Sequence, residues 1–200
     1  MKRSVITLLL FAAIGSAFAD GDIVAGERKA AVCAACHGAG GNSVNPEWPN
    51  LAGQHASYTA KQIRDFMEGK TRNNALMAPM IANLTEEDIA DISAYYESQP
   101  STGGYASEAL HDLGERIYRG GIVESGVPAC IACHGPKGLG NGPAGFPRIA
   151  GQHAVYTAKQ LDDWRAGARS NDTNSMMADA VRLMSPMEMK AVSEYIAGLH

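Results

Sequence analysis

Beyond residue 19 the sequence lacks an apolar run of about 20 residues, the length needed to cross a bilayer. It also lacks an excess of basic residues, because 17 lysines and arginines stand against 21 aspartates and glutamates. Nucleic acid binding needs a basic patch, so this balance argues against a nucleic acid partner. The alternation of apolar and polar residues that marks half-buried strands is missing as well, which favours an all-α fold.

The N-terminus has the three parts of a secretory leader. Lys2 and Arg3 precede an apolar run at 5–14, and Ala17 and Ala19 flank Phe18. The pattern predicts a signal peptide at residues 1–19, cleaved after Ala19. We therefore expect an exported protein in the periplasm. Its first half is the more acidic one, with 11 acidic and 6 basic residues at 20–100 against 10 and 9 at 101–200.

The chain repeats itself. The segment 51–62 recurs at 149–160, an offset of 98 residues, and a Cys-x-x-Cys-His motif recurs at an offset of 97. Two copies of one domain are the simplest explanation. We expect an N-terminal domain at 20–98, a linker at 99–107, which is rich in Gly, Pro and Ser, and a C-terminal domain at 108–200.

Both copies carry the same helix signals. Thr85 followed by Asp88, and Ser185 followed by Glu188, predict capping boxes that open an amphipathic C-terminal helix in each domain. A middle helix in each copy is expected to stop at a glycine, Gly69 or Gly167. Domains of this size bury proportionately little surface by themselves, so a large apolar cofactor would complete each interior.

The two Cys-x-x-Cys-His motifs carry the most chemistry. They are Cys33, Cys36 and His37 in the first copy, and Cys130, Cys133 and His134 in the second. On one helical turn the two thiols can reach the vinyl groups of a haem while the histidine presents its imidazole to the iron. A disulfide framework, a thioredoxin-like dithiol and a zinc site are the alternatives. The helical context argues against the dithiol, and every cysteine is already used, so zinc lacks further ligands. We predict two covalently bound haem c groups with His37 and His134 as proximal iron ligands.

The opposite ligand decides between electron transfer and chemistry at an open iron. Met77 and Met177 occupy matching places, each eight residues before its capping residue, and they are the preferred distal ligands. Their rivals are Met80 in the first copy and Met176 in the second.

Another repeated pair of residues, His55 and His153, competes for the same role, although a hydrogen-bonded histidine near a helix start is the favoured reading. The carbonyl groups of Pro49 and Pro147, which follow the proximal histidines, are candidates to accept the free imidazole N–H, with a plain turn proline as the alternative. Four aromatic side chains are candidates to line a haem or contact its propionates, although ordinary core packing is the favoured interpretation; they are Trp48, Tyr58, Tyr156 and Trp164.

These motifs, with Pro49-Asn50-Leu51-Ala52-Gly53-Gln54, Pro147-Arg148-Ile149-Ala150-Gly151-Gln152-His153 and the ending Tyr195-Ile196-Ala197-Gly198-Leu199-His200, closely resemble the dihaem cytochrome c4 family over the whole mature length. The resemblance implies two tandem class I cytochrome c-like domains related by pseudo-twofold symmetry, with haem propionates meeting at the interface. It implies His/Met ligation at both irons, carbonyl groups of Pro49 and Pro147 near the histidines, and packing of Gly26 on Tyr95 and of Gly114 on Tyr195.

The same resemblance implies electron delivery from a cytochrome bc complex to a terminal oxidase. We therefore expect a monomeric electron carrier that is not itself an enzyme, whose partners are redox proteins; peripheral association with a membrane is left open. The unequal charge of the two halves leads to the hypothesis that the two haems have unequal reduction potentials. The alternatives are a dihaem peroxidase and the haem subunit of a flavocytochrome sulfide dehydrogenase.

Overall fold

The structure is a computed structural model, and it describes residues 21–200, so the predicted signal peptide lies outside the described residues. Two isolated β-bridges join Ile122 to Val127 and Asn141 to Phe146; no other strand pairing occurs in this part of the chain. The prediction of an all-α fold is confirmed. The helices are α1 (Ile23–Lys29), α2 (Ala34–His37), α3 (Ala56–Glu68), α4 (Met77–Ile81), α5 (Glu86–Ser98), α6 (His111–Gly120), α7 (Ile131–His134), α8 (Ala154–Arg165), α9 (Met176–Val181) and α10 (Pro186–Ala197). None of the helices within 21–200 is long and apolar enough to span a bilayer.

The last helix of each domain begins at the predicted capping box. The Thr85 and Ser185 side chains accept hydrogen bonds from the amides of Asp88 and Glu188, and the two acidic side chains bond back to the capping residues' own amides. Each box satisfies amide groups that the first turn of a helix leaves without partners. Pro186 occupies the first turn of α10, where its missing N–H costs nothing.

The middle helices end close to the predicted glycines. Helix α3 ends at Glu68, and Gly69 adopts the left-handed conformation with φ +65°. Helix α8 ends at Arg165, two residues before Gly167, whose φ is +74°. Both glycines take the backbone conformation that closes a helix C-terminus and that other residues adopt with strain.

In each domain the first helix crosses the last at a glycine. Helix α1 packs on α5 at Gly26, and α6 packs on α10 at Gly114. A Cβ atom on Gly26 would lie 2.8 Å from Cβ of Tyr95, and one on Gly114 would lie 2.7 Å from Cβ of Tyr195. The expected packing of each glycine on a tyrosine is therefore confirmed, and only glycine allows so close an approach of the helices.

Each domain buries a tyrosine, but the two rings come from opposite sides of the core. In the first domain Tyr96 on α5 is 1% exposed and shares the core with Ala30. In the second domain Ile196 stands at the position of Tyr96, and Tyr118 on α6, fully buried, stands at that of Ala30. The buried tyrosine has therefore changed helices between the domains, and the residue at the other position is alanine in the first core and isoleucine in the second.

The two domains face each other through reciprocal hydrogen bonds. The Gln54 side chain donates to the carbonyl oxygen of Arg148 at 2.7 Å and accepts from its amide at 3.0 Å. The Gln152 side chain makes the matching pair to the backbone of Asn50, both at 2.9 Å. Since Gln54 corresponds to Gln152 and Asn50 to Arg148 in the repeat, exchanging the domains reproduces the same contacts. This is the pseudo-twofold symmetry that the sequence analysis expected.

Candidate functional site

Both Cys-x-x-Cys-His motifs form a single helical turn. Cys33 and Cys130 immediately precede α2 and α7, and the amides of His37 and His134 bond back to the carbonyl oxygens of these cysteines at 2.9 and 3.0 Å. Glycines with positive φ end both turns. The four thiols are free and unpaired, so the structure has no disulfide framework. In each motif the two cysteines and the histidine are displayed along one turn, as attachment of a haem requires.

The motif histidines are buried and held by proline carbonyl groups. His37 is 6% exposed and His134 is 7% exposed. The Nδ1–H of His37 donates to the carbonyl oxygen of Pro49 at 2.9 Å, and that of His134 donates to Pro147 at 3.0 Å. Burial lowers the pKa of both imidazoles, against the opposing effect of the carbonyl groups. The predicted hydrogen bonds from these rings to the proline carbonyl groups are therefore confirmed. When the Nδ1–H group of a neutral imidazole donates such a bond, its Nε2 atom is free to bind a metal.

The four candidate methionines differ in exposure. Met77 opens α4 and packs against the first core, while Met177 in α9 packs against the second. Their rivals are more exposed, Met80 at 42% and Met176 at 43%. The amide of Met77 donates a hydrogen bond to Asn74 Oδ1, and that of Met177 donates one to Asp172 Oδ2, so both methionine segments are anchored locally. The preferred methionines are thus the ones directed to the interior of each domain.

The repeated histidines His55 and His153 form hydrogen bonds between the domains. Each immediately precedes the middle helix of its domain, α3 or α8. The Nε2 atom of His55 lies 3.0 Å from the carbonyl oxygen of Leu139, and the Nε2 atom of His153 lies 2.9 Å from the carbonyl oxygen of Ser43. Both contacts cross to the other domain. The histidines therefore contribute to the interface, in agreement with the favoured reading, and the Nε2 atom of each ring already has a hydrogen-bond partner.

Several buried polar atoms fit the carboxylate tails of a haem. Buried side-chain atoms without a hydrogen-bond partner among residues 21–200 include Thr59 Oγ1, Arg148 Nε, Thr157 Oγ1 and Trp164 Nε1. All four can donate, and buried donors are normally satisfied. Burial also lowers the pKa of the Arg148 guanidinium. Anionic groups at the domain boundary would satisfy such donors, so the residues present fit a haem in each domain.

Two tyrosines have a role that the sequence analysis did not favour. The Tyr58 and Tyr156 hydroxyls accept hydrogen bonds from Arg169 and Arg72, each from the opposite domain, at 3.0 and 2.8 Å. Besides any packing of the rings, these two tyrosines therefore bond across the interface. The arginines were missed altogether, and the signal that could have found them is their offset of 97 residues, the same as that of the cysteines.

Comparison with known proteins agrees with this geometry. The Cytochrome c family model matches residues 23–100 and again 113–200. Cytochrome c4 of Azotobacter vinelandii is 46% identical, with 100% of both chains covered. The thiosulfate dehydrogenase electron acceptor of Stutzerimonas stutzeri is 42% identical, covering 85% of this chain and 80% of that protein. The crystal structure of reduced recombinant cytochrome c4 from Pseudomonas stutzeri superposes with a TM-score of 0.87 at 46% identity, covering 90% of this chain and 100% of that one.

Identity of this degree over the full length, two matched cytochrome c segments and the shared fold lead to one conclusion. The chain belongs to the dihaem cytochrome c4 family of electron-transfer proteins, with two tandem cytochrome c domains and two haem c groups.

Proposed function

We propose that this chain is a periplasmic electron carrier that takes electrons from a cytochrome bc complex and delivers them to a terminal oxidase. Cys33 and Cys36 would hold one haem through thioether bonds, and Cys130 and Cys133 would hold the other. Export depends on the predicted signal peptide at 1–19. The domain limits that go with this proposal are 20–98 and 108–200, joined by the linker 99–107, and helix α5 ends at Ser98.

His37 and His134 would bind the two irons from one side, and Met77 and Met177 from the other. The observation that carries this assignment is the hydrogen bond from each imidazole Nδ1 to a proline carbonyl, because it fixes the ring and makes Nε2 the stronger donor. The burial of the preferred methionines relative to their exposed rivals supports the distal assignment. A methionine sulfur favours the reduced state and raises the potential.

The chain's own residues would then keep each site closed and nearly fixed. When bound, a haem supplies one-electron Fe(III)/Fe(II) chemistry. The proline carbonyl groups hold the imidazoles, and the apolar cores exclude water. The reciprocal bonds of Gln54 and Gln152 hold the domains in one arrangement, which suits electron exchange between them. A carrier of this kind needs no substrate pocket and is not an enzyme itself.

Optical and magnetic circular dichroism spectra of the oxidised protein test the ligands. The wild type should show two low-spin haems with methionine ligation, and Met77→His and Met177→His should each convert one haem to bis-histidine ligation. Met80→Leu and Met176→Leu are the matched controls and should leave both signals unchanged. Loss of a methionine signal in either control would overturn the assignment in that domain.

Ligand binding and partner assays separate the alternatives. Rapid binding of carbon monoxide to the reduced protein, or of cyanide to the oxidised protein, would favour a dihaem peroxidase over a carrier. Copurification with a flavin-bearing partner would favour the haem subunit of a flavocytochrome sulfide dehydrogenase.

A second candidate donor follows from the similarity to a thiosulfate dehydrogenase electron acceptor. The chain would then accept electrons from a sulfur-oxidising dehydrogenase in place of the cytochrome bc complex. Stopped-flow reduction distinguishes the two donors. Faster reduction by thiosulfate dehydrogenase with thiosulfate than by the cytochrome bc complex with quinol would favour the second candidate, and the reverse order would favour the first.

A further inference from the structure

Two arginines, Arg72 and Arg169, lie buried where the domains meet, and together they are called the arginine pair. They are 7% and 4% exposed. Each reaches across the interface. Arg72 donates from Nη2 to the Tyr156 hydroxyl at 2.8 Å, and Arg169 donates from Nη2 to the Tyr58 hydroxyl at 3.0 Å. The backbone also bonds across the interface beside the arginine pair, where the Ser170 amide donates to the carbonyl oxygen of Thr71 at 2.8 Å.

Two glutamines bind both members of the pair. Gln62 Oε1 accepts from Arg72, and also from Arg169 Nη2 at 3.0 Å. Gln160 Oε1 accepts from Arg169 Nη1 at 2.9 Å and from Arg72 Nη2 at 3.3 Å. Each glutamine therefore bonds an arginine from its own domain and one from the other. The two guanidinium groups share their acceptors and must lie close together.

No carboxylate within residues 21–200 is hydrogen-bonded to the arginine pair. Every hydrogen-bond acceptor of either guanidinium within residues 21–200 is a neutral oxygen, including Asn171 Oδ1. The nearby carboxylates are engaged elsewhere. Asp65 accepts from Lys61 and Asn171, and Asp172 accepts from the amides of the α9 start. Two buried guanidinium groups that bond only neutral oxygens of the chain add positive potential where the domains meet.

The pKa of the Tyr58 hydroxyl is affected by the charge of the arginine pair. Burial by itself raises the pKa of a phenol, yet the charges of Arg169, Arg72 and Lys61, with the hydrogen bond from Arg169, lower the pKa of Tyr58 overall. The charges around the Tyr58 hydroxyl are therefore predominantly positive, although the chain as a whole carries a formal charge of −4.

Each guanidinium lies against an aromatic ring that packs on the core of one domain. The Arg72 guanidinium carbon lies 4.2 Å from the ring centre of Phe66, and Phe66 packs on the core that also receives Cys33 and Met77. The Arg169 guanidinium carbon lies 3.9 Å from the ring centre of Trp164. That ring packs on the second core, together with Cys130 and Met177.

We propose that the arginine pair is an electrostatic element shared by the two haem sites, in which each arginine raises the reduction potential of both haems. The inference rests on the proposed function. Reduction of Fe(III) to Fe(II) removes one positive charge from the site, so a fixed cation nearby favours the reduced state. Both guanidinium groups contact both domains, so we expect each arginine to act on both haems.

Spectroelectrochemical titration of the haem-loaded Arg72→Gln and Arg169→Gln variants, with the two haems resolved, tests the proposal. At the midpoint of the wild type, each variant should show a roughly sixfold lower Fe(II)/Fe(III) ratio at both haems, the effect expected of one unit charge acting over about 15 Å at an effective dielectric constant of about 20. Arg72→Lys, which retains the charge, should stay near the wild type. Arg64→Gln is the matched control, because Arg64 lies on α3, is exposed and is bonded to Glu86.

The variant Gln62→Glu keeps both arginines and places a carboxylate against them. It should lower both potentials in the same way, and it keeps the test valid if an arginine variant fails to fold. A change confined to the haem of one domain, or an equal fall in Arg72→Lys and Arg72→Gln, would overturn the proposal. Haem content and the methionine-to-iron charge-transfer band are measured in the same samples. Fewer than two haems, or no methionine ligation, in the wild type would instead refute the proposed function.

Discussion

Replacing Gly114 by alanine should destabilise the second domain through a clash between two helix backbones. A Cβ atom at this position would lie 2.2 Å from the carbonyl oxygen of Ala191 and 2.7 Å from Cβ of Tyr195. Neither contact involves the far end of a flexible side chain, so no rotamer change relieves it. Helix α6 would have to move away from α10.

The expected loss follows from the size of this movement. Nonbonded heavy atoms prefer separations of about 3.5–4.0 Å, so the helices must part by roughly 1 Å or more. Overpacking of this kind costs about 1–3 kcal/mol and occasionally more. Alanine recovers up to about 1 kcal/mol in helix propensity. Because a backbone oxygen only 2.2 Å away makes the clash severe, we take the upper end of the cost, about 3 kcal/mol, less about 1 kcal/mol. We therefore expect Gly114→Ala to lower the free energy of unfolding by about 2 kcal/mol, which corresponds to a fall in Tm of about 4–8 °C for a chain of this length.

Gly120→Ala in the same helix is the matched control. A Cβ atom on Gly120 meets nothing within 4 Å, and its φ is not positive. This variant should leave the free energy of unfolding unchanged or raise it by up to about 1 kcal/mol. Both variants are measured by urea and thermal unfolding of the haem-loaded protein, followed by far-ultraviolet circular dichroism. If Gly114→Ala stays within about 0.5 kcal/mol of the wild type, or if the two variants shift together, the packing argument fails.

Two other predictions concern the interface and acid stability. Gln54→Ala and Gln152→Ala each remove two hydrogen bonds between the domains, so urea titration should show similar losses of about 2 kcal/mol; an effect in only one variant would contradict the reciprocal interface. Hydrogen bonds from Lys29 lower the pKa of Asp88 and of Asp91. Because these pKa values are lower in the folded protein than in the unfolded chain, the carboxylates stabilise the fold at pH values above about 4, the pKa of a carboxyl group in the unfolded chain. This stabilisation is lost as the pH falls through the pKa of the folded protein. Lys29→Met should therefore be less stable than the wild type at neutral pH, and urea titrations in progressively stronger acid should show the difference shrinking; a constant difference would refute this account.

Features that depend on short stretches of chain could be predicted from the sequence. A capping box needs residues three apart, so Thr85 and Ser185 specified the starts of α5 and α10 before any tertiary contact was known. The turn that ends at His37 is equally local. The glycines Gly69 and Gly167 marked the ends of the middle helices, with α8 ending two residues before its glycine.

Packing partners from distant segments could not be read in this way. The exchange of Ala30 and Tyr96 in one core for Tyr118 and Ile196 in the other involves residues that are more than 60 positions apart in each domain. Which of the two helices supplies the buried tyrosine can be seen only when both positions are placed in one core, because side chains of a close-packed interior fill a shared space. For the same reason the role of the Tyr58 hydroxyl became visible only beside Arg169.

The sequence by itself determined the class of fold, the duplication and the chemistry of the two cysteine and histidine motifs. Periodicity, repetition and spacing can all be read from the order of residues along the chain. Only the tertiary structure decided which carbonyl groups hold His37 and His134, and how the two copies face each other. It also brought Arg72 and Arg169 together without a bonded acid. Burial and electrostatic potential depend on everything that surrounds a group in space, and neighbours along the chain are only a small part of those surroundings.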